Sequence, residues 1–204
     1  MVKHLLPFGW IWTPILPDLV RVVNYAQSKS LKDIAYYKVT TQFVRDLQGG
    51  YGGTNYHLYI TGASLGGGLS IITGAQTGAH AVAISGLGAE LSRYTFDPPV
   101  TLEQLDNRVF NFIPDRDYIA RIGGRSRLFQ EAQCNAPNSN LFGCHSMWRS
   151  ICEIAYRCGT GERPVVCRCV KKYGYPEPKP INGTTSTTRS FDEACAEEEA
   201  KLNN

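Results

Sequence analysis

The pentapeptide Gly62-Ala63-Ser64-Leu65-Gly66 stands between Tyr56-His57-Leu58-Tyr59-Ile60-Thr61 and Gly67-Gly68-Leu69-Ser70. The aromatic and β-branched run before it predicts a strand, and the stretch after it predicts a helix opened by glycines. A serine on a sharp strand-to-helix turn projects its hydroxyl from the backbone, and the helix that follows aims free N–H groups at the same point. That arrangement suits attack on a carbonyl carbon, with Ser64 as candidate nucleophile and the N–H of Leu65 as candidate oxyanion donor. Gly62 and Gly66 are expected there because a β-carbon would collide where strand and helix pass. A plainer reading makes Ser64 an ordinary N-cap in a glycine-rich turn. A base and an acid decide between the two.

Histidine is scarce: His4, His57, His80 and His145. His57 falls in the expected strand, and His80 precedes the next strand and so lies at the far edge of any parallel sheet. His4 sits near the N-terminus. His145, in Phe142-Gly143-Cys144-His145-Ser146, sits on a loop before a helical pattern and is pinned by a neighbouring cysteine, which makes it the candidate base. For the acid, the loop Pro114-Asp115-Arg116-Asp117-Tyr118 follows the apolar run Val109-Phe110-Asn111-Phe112-Ile113 and offers two carboxylates. Asp97, in Phe96-Asp97-Pro98-Pro99, is explained by its proline turn.

The elements that must position these groups read as strand, helix, strand, helix, strand. Ala81-Val82-Ala83-Ile84 is a buried strand, Thr101 to Asp106 a short helix, and Val109 to Ile113 a third strand. This spacing predicts a mostly parallel α/β sheet with crossover helices, in which reacting groups collect at the carboxyl ends of the strands. Ser64 and the Asp115–Asp117 loop then share one edge. Upstream, Ser30 to Leu47 reads as a helix with a capping box at Ser30 and Asp33, ended by Gly49-Gly50. The run Leu5 to Pro17 is apolar, rich in tryptophan and broken by prolines, too short to span a bilayer. It suits core packing or a lipid-facing lid.

A net charge of +3 spread along 204 residues gives no footprint for nucleic acid. All seven cysteines fall between Cys134 and Cys195, without the paired spacing of a zinc site. They are read as disulfides stapling a loop-rich C-terminal region in an oxidising compartment, and an odd count leaves one over. The sequon Asn182-Gly183-Thr184 agrees with a secreted or secretory-lumen protein, although no clear signal peptide is present. Two regions are expected: an α/β domain over 1–175, and a proline-rich, then polar tail over 176–204 that is disordered.

Taken together, Ile60-Thr61-Gly62-Ala63-Ser64-Leu65-Gly66-Gly67, Phe110 to Ile122 and Cys144-His145-Ser146 resemble the class 3, fungal-type lipases of the α/β-hydrolase fold, as found in protists and oomycetes. The likeness runs from about Tyr36 to Gly159. It implies an α/β-hydrolase-type sheet, a triad of Ser64, Asp117 and His145, and a preference for Asp117 over Asp115, because apolar residues and an arginine follow it. It implies ester hydrolysis on acylglycerols or related lipids, with no metal or organic cofactor and a lipid or ester substrate as partner. Two departures stand out. Ala63 replaces the family's usual histidine, and the residues before Ser30 show neither the strand nor the glycine-bearing loop that carries the second oxyanion donor. The sequence therefore reads as the C-terminal portion of a larger hydrolase, incomplete at its N-terminus. The same triad would also serve a phospholipase or acyltransferase, and a portion lacking full machinery would act as a lipid-binding or interaction module.

Overall fold

The structure is a computed structural model that describes residues 35–50, 57–125, 127–137, 142–158, 167–177 and 191–202. The N-terminal apolar run, the Ser30–Asp33 cap and the sequon at Asn182 lie outside the described residues.

Four strands form one parallel sheet: β1 (Tyr59–Ala63), β2 (His80–Ile84), β3 (Val109–Pro114) and β4 (Phe129–Ala132), in the order β1-β2-β3-β4. The register sets Tyr59 beside His80, Ala63 beside Ile84 and Ala81 beside Val109. The second and third strands match the expectation from sequence, whereas the first begins two residues after His57 and runs on through Gly62-Ala63. The fourth, Phe129-Gln130-Glu131-Ala132, was not expected, because its residues carry neither alternation nor β-branching. Pairing with β3 makes it a strand, with Asn111 opposite Phe129.

Because each strand lies beside its predecessor, right-handed crossovers put the connecting helices on one face. These are α2 (Leu65–Thr77), between β1 and β2, and α3 (Leu102–Arg108), between β2 and β3; a further helix, α1 (Tyr36–Gly50), precedes β1. Thr101 caps α3 through a capping box with Gln104, as the local sequence demands. Between α2, α3 and the sheet lies the core of Ile71, Ala75, Ala81, Ala83, Leu105 and Val109. Alanine on both sides lets the helix settle close to the strands. α1 packs outside α2, joined by Thr40 Oγ1 to Thr73 Oγ1 at 2.7 Å and by Thr41 Oγ1 donating to Gln76 Oε1 at 3.0 Å. It runs through Gly49-Gly50 instead of stopping before them. On the opposite face of the sheet Tyr59 and Val82 stand exposed among the described residues.

Beyond the sheet come α4 (Met147–Cys158), α5 (Cys167–Tyr173) and α6 (Phe191–Leu202). Three disulfides, Cys134–Cys144, Cys152–Cys169 and Cys167–Cys195, staple this region as expected and fit an oxidising environment. The tail requires a correction. Residues 191–202 form a helix, not a disordered end, and Cys195 is fully buried in its bridge to Cys167. A proline-rich, then polar composition predicts disorder, but the Ala, Glu, Lys and Leu of this segment are strong helix formers, and the tether brings them against the fold. No described helix is long and apolar enough to cross a membrane.

Candidate active site

Ser64 occupies the single residue between β1 and α2, at the carboxyl edge of the sheet. Its φ of 54° and ψ of −122° are a conformation that non-glycine residues rarely adopt. Two backbone bonds hold it there. Its N–H donates to the Ile84 carbonyl at 3.1 Å, and its own carbonyl accepts from Gly68 at 3.0 Å. α2 opens at Leu65, so the Leu65 N–H is among the first-turn donors that have no partner within a helix.

The glycines around the turn are not used as the sequence suggested. A Cβ on Gly62 would stand 2.2 Å from the Gly66 carbonyl oxygen, so this glycine is required. At Gly66 a Cβ would meet nothing within 4 Å, which corrects the expected role of that residue. The second close approach is made by Gly67, whose Cβ would fall 2.7 Å from the Cα of Gly86 in the loop after β2. Gly86 is itself clamped by the buried Asn111, which accepts from its N–H at 3.1 Å and donates to its carbonyl at 2.9 Å. Neither the Gly67–Gly86 contact nor the Asn111 clamp was foreseen, since both join segments far apart in sequence. Gly62→Ala should therefore destabilise the protein by about 1–3 kcal/mol or more. Gly66→Ala, at an exposed helical position, should be neutral or stabilising by up to about 1 kcal/mol. Thermal melts of the two variants check this, and equal melting temperatures would contradict it.

Asp117 lies in the turn after β3, with no exposed surface. Its Oδ1 accepts from the backbone N–H groups of Ile119 and Ala120, each at 3.1 Å, which offsets the burial of a carboxylate. Asp115, the other carboxylate of the loop, faces elsewhere and accepts from the Cys134 N–H at 3.0 Å. Asp97 pairs with Lys38 at 3.2 Å.

His145 ends a short 3₁₀ turn, Gly143–His145, just before α4. Its Nε2 stands 2.7 Å from Ser64 Oγ, and its Nδ1 stands 3.0 Å from each carboxylate oxygen of Asp117. Residues 64, 117 and 145 thus form one continuous hydrogen-bonded chain. A carboxylate only accepts, so Nδ1 carries the proton and Nε2 presents its lone pair to the serine hydroxyl. The chain can move a proton from Ser64 to the imidazole as the oxygen attacks an electrophile. The side chain of His145 is 17% exposed and that of Asp117 is not exposed, so the proton path is mostly shielded from water, and Ser64 at its end is half-buried.

The other described histidines, His57 and His80, do not reach this chain, and His4 lies outside the described residues. His57 precedes β1 and is exposed, outside the strand that the sequence assigned to it. His80 opens β2 at the amino edge and stacks near Tyr59. A cavity of about 300 Å³ also lies at that edge, lined by Tyr59, His80, Val82, Arg108 and Phe110, and so away from Ser64. As for metals, Asp115, Cys134 and Cys144 bring possible ligand atoms within 4.8 Å of one another. Both sulfurs are consumed in a disulfide, which leaves no thiolate to bind an ion.

Comparison of the chain with protein-family models, with curated proteins and with solved structures finds no match.

Proposed function

We propose that this chain is a serine hydrolase that cleaves carboxylic esters of lipids through an acyl-enzyme. One observation carries the reading: the unbroken Ser64–His145–Asp117 hydrogen-bond chain at the carboxyl edge of a parallel sheet, with Ser64 on a strained turn before a helix. In this reading Ser64 Oγ attacks the ester carbonyl while His145 Nε2 takes its proton. The N–H of Leu65 stabilises the oxyanion that forms, a contribution worth about 10²–10³ in rate for a single donor. The imidazolium, oriented and stabilised by Asp117, then protonates the departing alcohol. Water, deprotonated by the same imidazole, releases the acid and restores Ser64.

Lipid esters are favoured by the resemblance to class 3 lipases, and by apolar side chains next to the triad in sequence. Leu65 and Phe142 are 65% and 68% exposed, and Met147 is 48% exposed. The disulfides support placing the protein in the secretory lumen or outside the cell.

The test is covalent. A fluorophosphonate probe should label the purified protein at Ser64, and Ser64→Ala should abolish the labelling. Labelling that survives the substitution would remove Ser64 from its role. Turnover of medium- or long-chain acylglycerols above that of a short soluble ester would support the lipid assignment, and the reverse order would count against it.

A further inference from the structure

We propose that the Cys134–Cys144 disulfide is a positioning device for His145, coupling the turn that carries the imidazole to the loop that carries its carboxylate partner. The inference rests on reading Ser64, Asp117 and His145 as an acyl-transfer triad.

The turn that bears His145 has little stiffness of its own. It is three residues long and belongs to no strand. Its backbone bonds are His145 N–H to the Phe142 carbonyl at 3.1 Å and Ser146 N–H to the Gly143 carbonyl at 3.4 Å. The residue next to the imidazole, Cys144, is 2% exposed and bridged to Cys134.

Cys134 is fastened to the acid loop by several independent bonds. Its N–H donates to Asp115 Oδ1 at 3.0 Å, and its carbonyl accepts from Arg116 Nη2 at 2.5 Å. Arg116 Nη2 also donates to the Ala136 carbonyl at 2.6 Å, and the Asp115 N–H to the Ala132 carbonyl at 2.7 Å. Asp115 and Arg116 directly precede Asp117. The route from imidazole to carboxylate therefore runs through Cys144, the disulfide, Cys134 and the Asp115–Arg116 backbone, with every link covalent or a short hydrogen bond. Cys134, Ala136 and Cys144 form a small buried cluster of their own around it. One further tie, Arg149 to Asn135 Oδ1, is at the surface, where water competes for it.

The other two bridges serve a different purpose. Cys152–Cys169 joins α4 to α5, and Cys167–Cys195 joins α5 to α6, and neither involves a neighbour of the triad. Only the first bridge closes a loop between base and acid. Proton transfer depends steeply on that geometry, since a misplacement of about 1 Å can lower a rate about 10²-fold.

The experiment compares two double variants of the full chain, Cys134→Ala with Cys144→Ala, and Cys152→Ala with Cys169→Ala. The first pair should fold yet lose about 10- to 100-fold in kcat on a soluble ester, with KM unchanged. Its fluorophosphonate labelling should slow by the same factor, and the downfield imidazole N–H proton resonance of His145 should vanish. The second pair should melt lower but keep kcat and that resonance. The proposal is overturned if the first pair keeps both, or if its loss only follows the folded fraction, including a variant that does not fold at all. Failure of the triad reading looks different: the unsubstituted protein is then not labelled at Ser64, and the positioning role falls with it.

Discussion

Replacing His145 by alanine should lower kcat by about six orders of magnitude, because the base and the nucleophile act as one unit. Among the described residues only the imidazole stands within hydrogen-bond reach of Ser64 Oγ, while Asp117 is held by its bonds to Ile119 and Ala120. The fold should survive. Among the described contacts the ring bonds only Ser64 and Asp117, and it takes no part in the core between α2, α3 and the sheet. Losing the ring leaves the buried carboxylate one donor short, which costs about 1–3 kcal/mol. Turnover of a short-chain ester alongside a thermal melt separates the two effects. Retained turnover would mean that the base is another residue, and His57 and His80 would then have to be tested in turn.

Asp117→Asn should lower kcat by about 10⁴ with little change in stability. The substitution keeps shape and volume, and the amide oxygen can still accept from Ile119 and Ala120. What changes is the face offered to His145. An amide N–H donates to Nδ1, so the ring proton moves to Nε2 and points at Ser64, where a lone pair is needed. The comparison variant is Asp115→Asn, whose oxygen still accepts from Cys134 and makes no contact with the imidazole. It should stay within a few-fold of the unsubstituted protein. If Asp115→Asn fell as far as Asp117→Asn, or if Asp117→Asn kept its rate, the carboxylate would have been assigned to the wrong residue.

Much of this site was legible in the sequence because its chemistry depends on local structure. A strand of Tyr, Ile and Thr followed by a glycine turn shows where Ser64 must stand, and an apolar strand followed by Asp115-Arg116-Asp117 shows which loop brings a carboxylate to the same edge. The choice between the two aspartates was not local. It depends on which side chain turns inward after β3, and the sequence alone left that to a resemblance. The parts that were missed all involve distant partners. Gly67 needs to be glycine because of Gly86, Gly86 is held by Asn111, and β4 exists because β3 offers it a free edge. Gly66 looked necessary only because it completes a motif, yet its surroundings are open. The helix at 191–202 was missed because composition outweighed the single cysteine that anchors it.

The strand order carries one more consequence, for the order of events during synthesis. Each described strand is laid against the one made just before it, so the sheet can grow by addition at one edge and no later strand has to be inserted between earlier ones. Such sequential pairing keeps loop-closure entropy low at every step, and chains leaving the ribosome fold from the N-terminal side first. The serine turn, its helix and the next two strands can thus consolidate while the segment with the histidine is still being made. During that interval the nascent protein has a formed elbow but no base. In the proposed hydrolase reading it lacks turnover until the chain has passed residue 145, and it gains its full rate once oxidation closes the ten-residue separation between Cys134 and Cys144. The proposed activity would then arise late, after the surrounding framework is already in place.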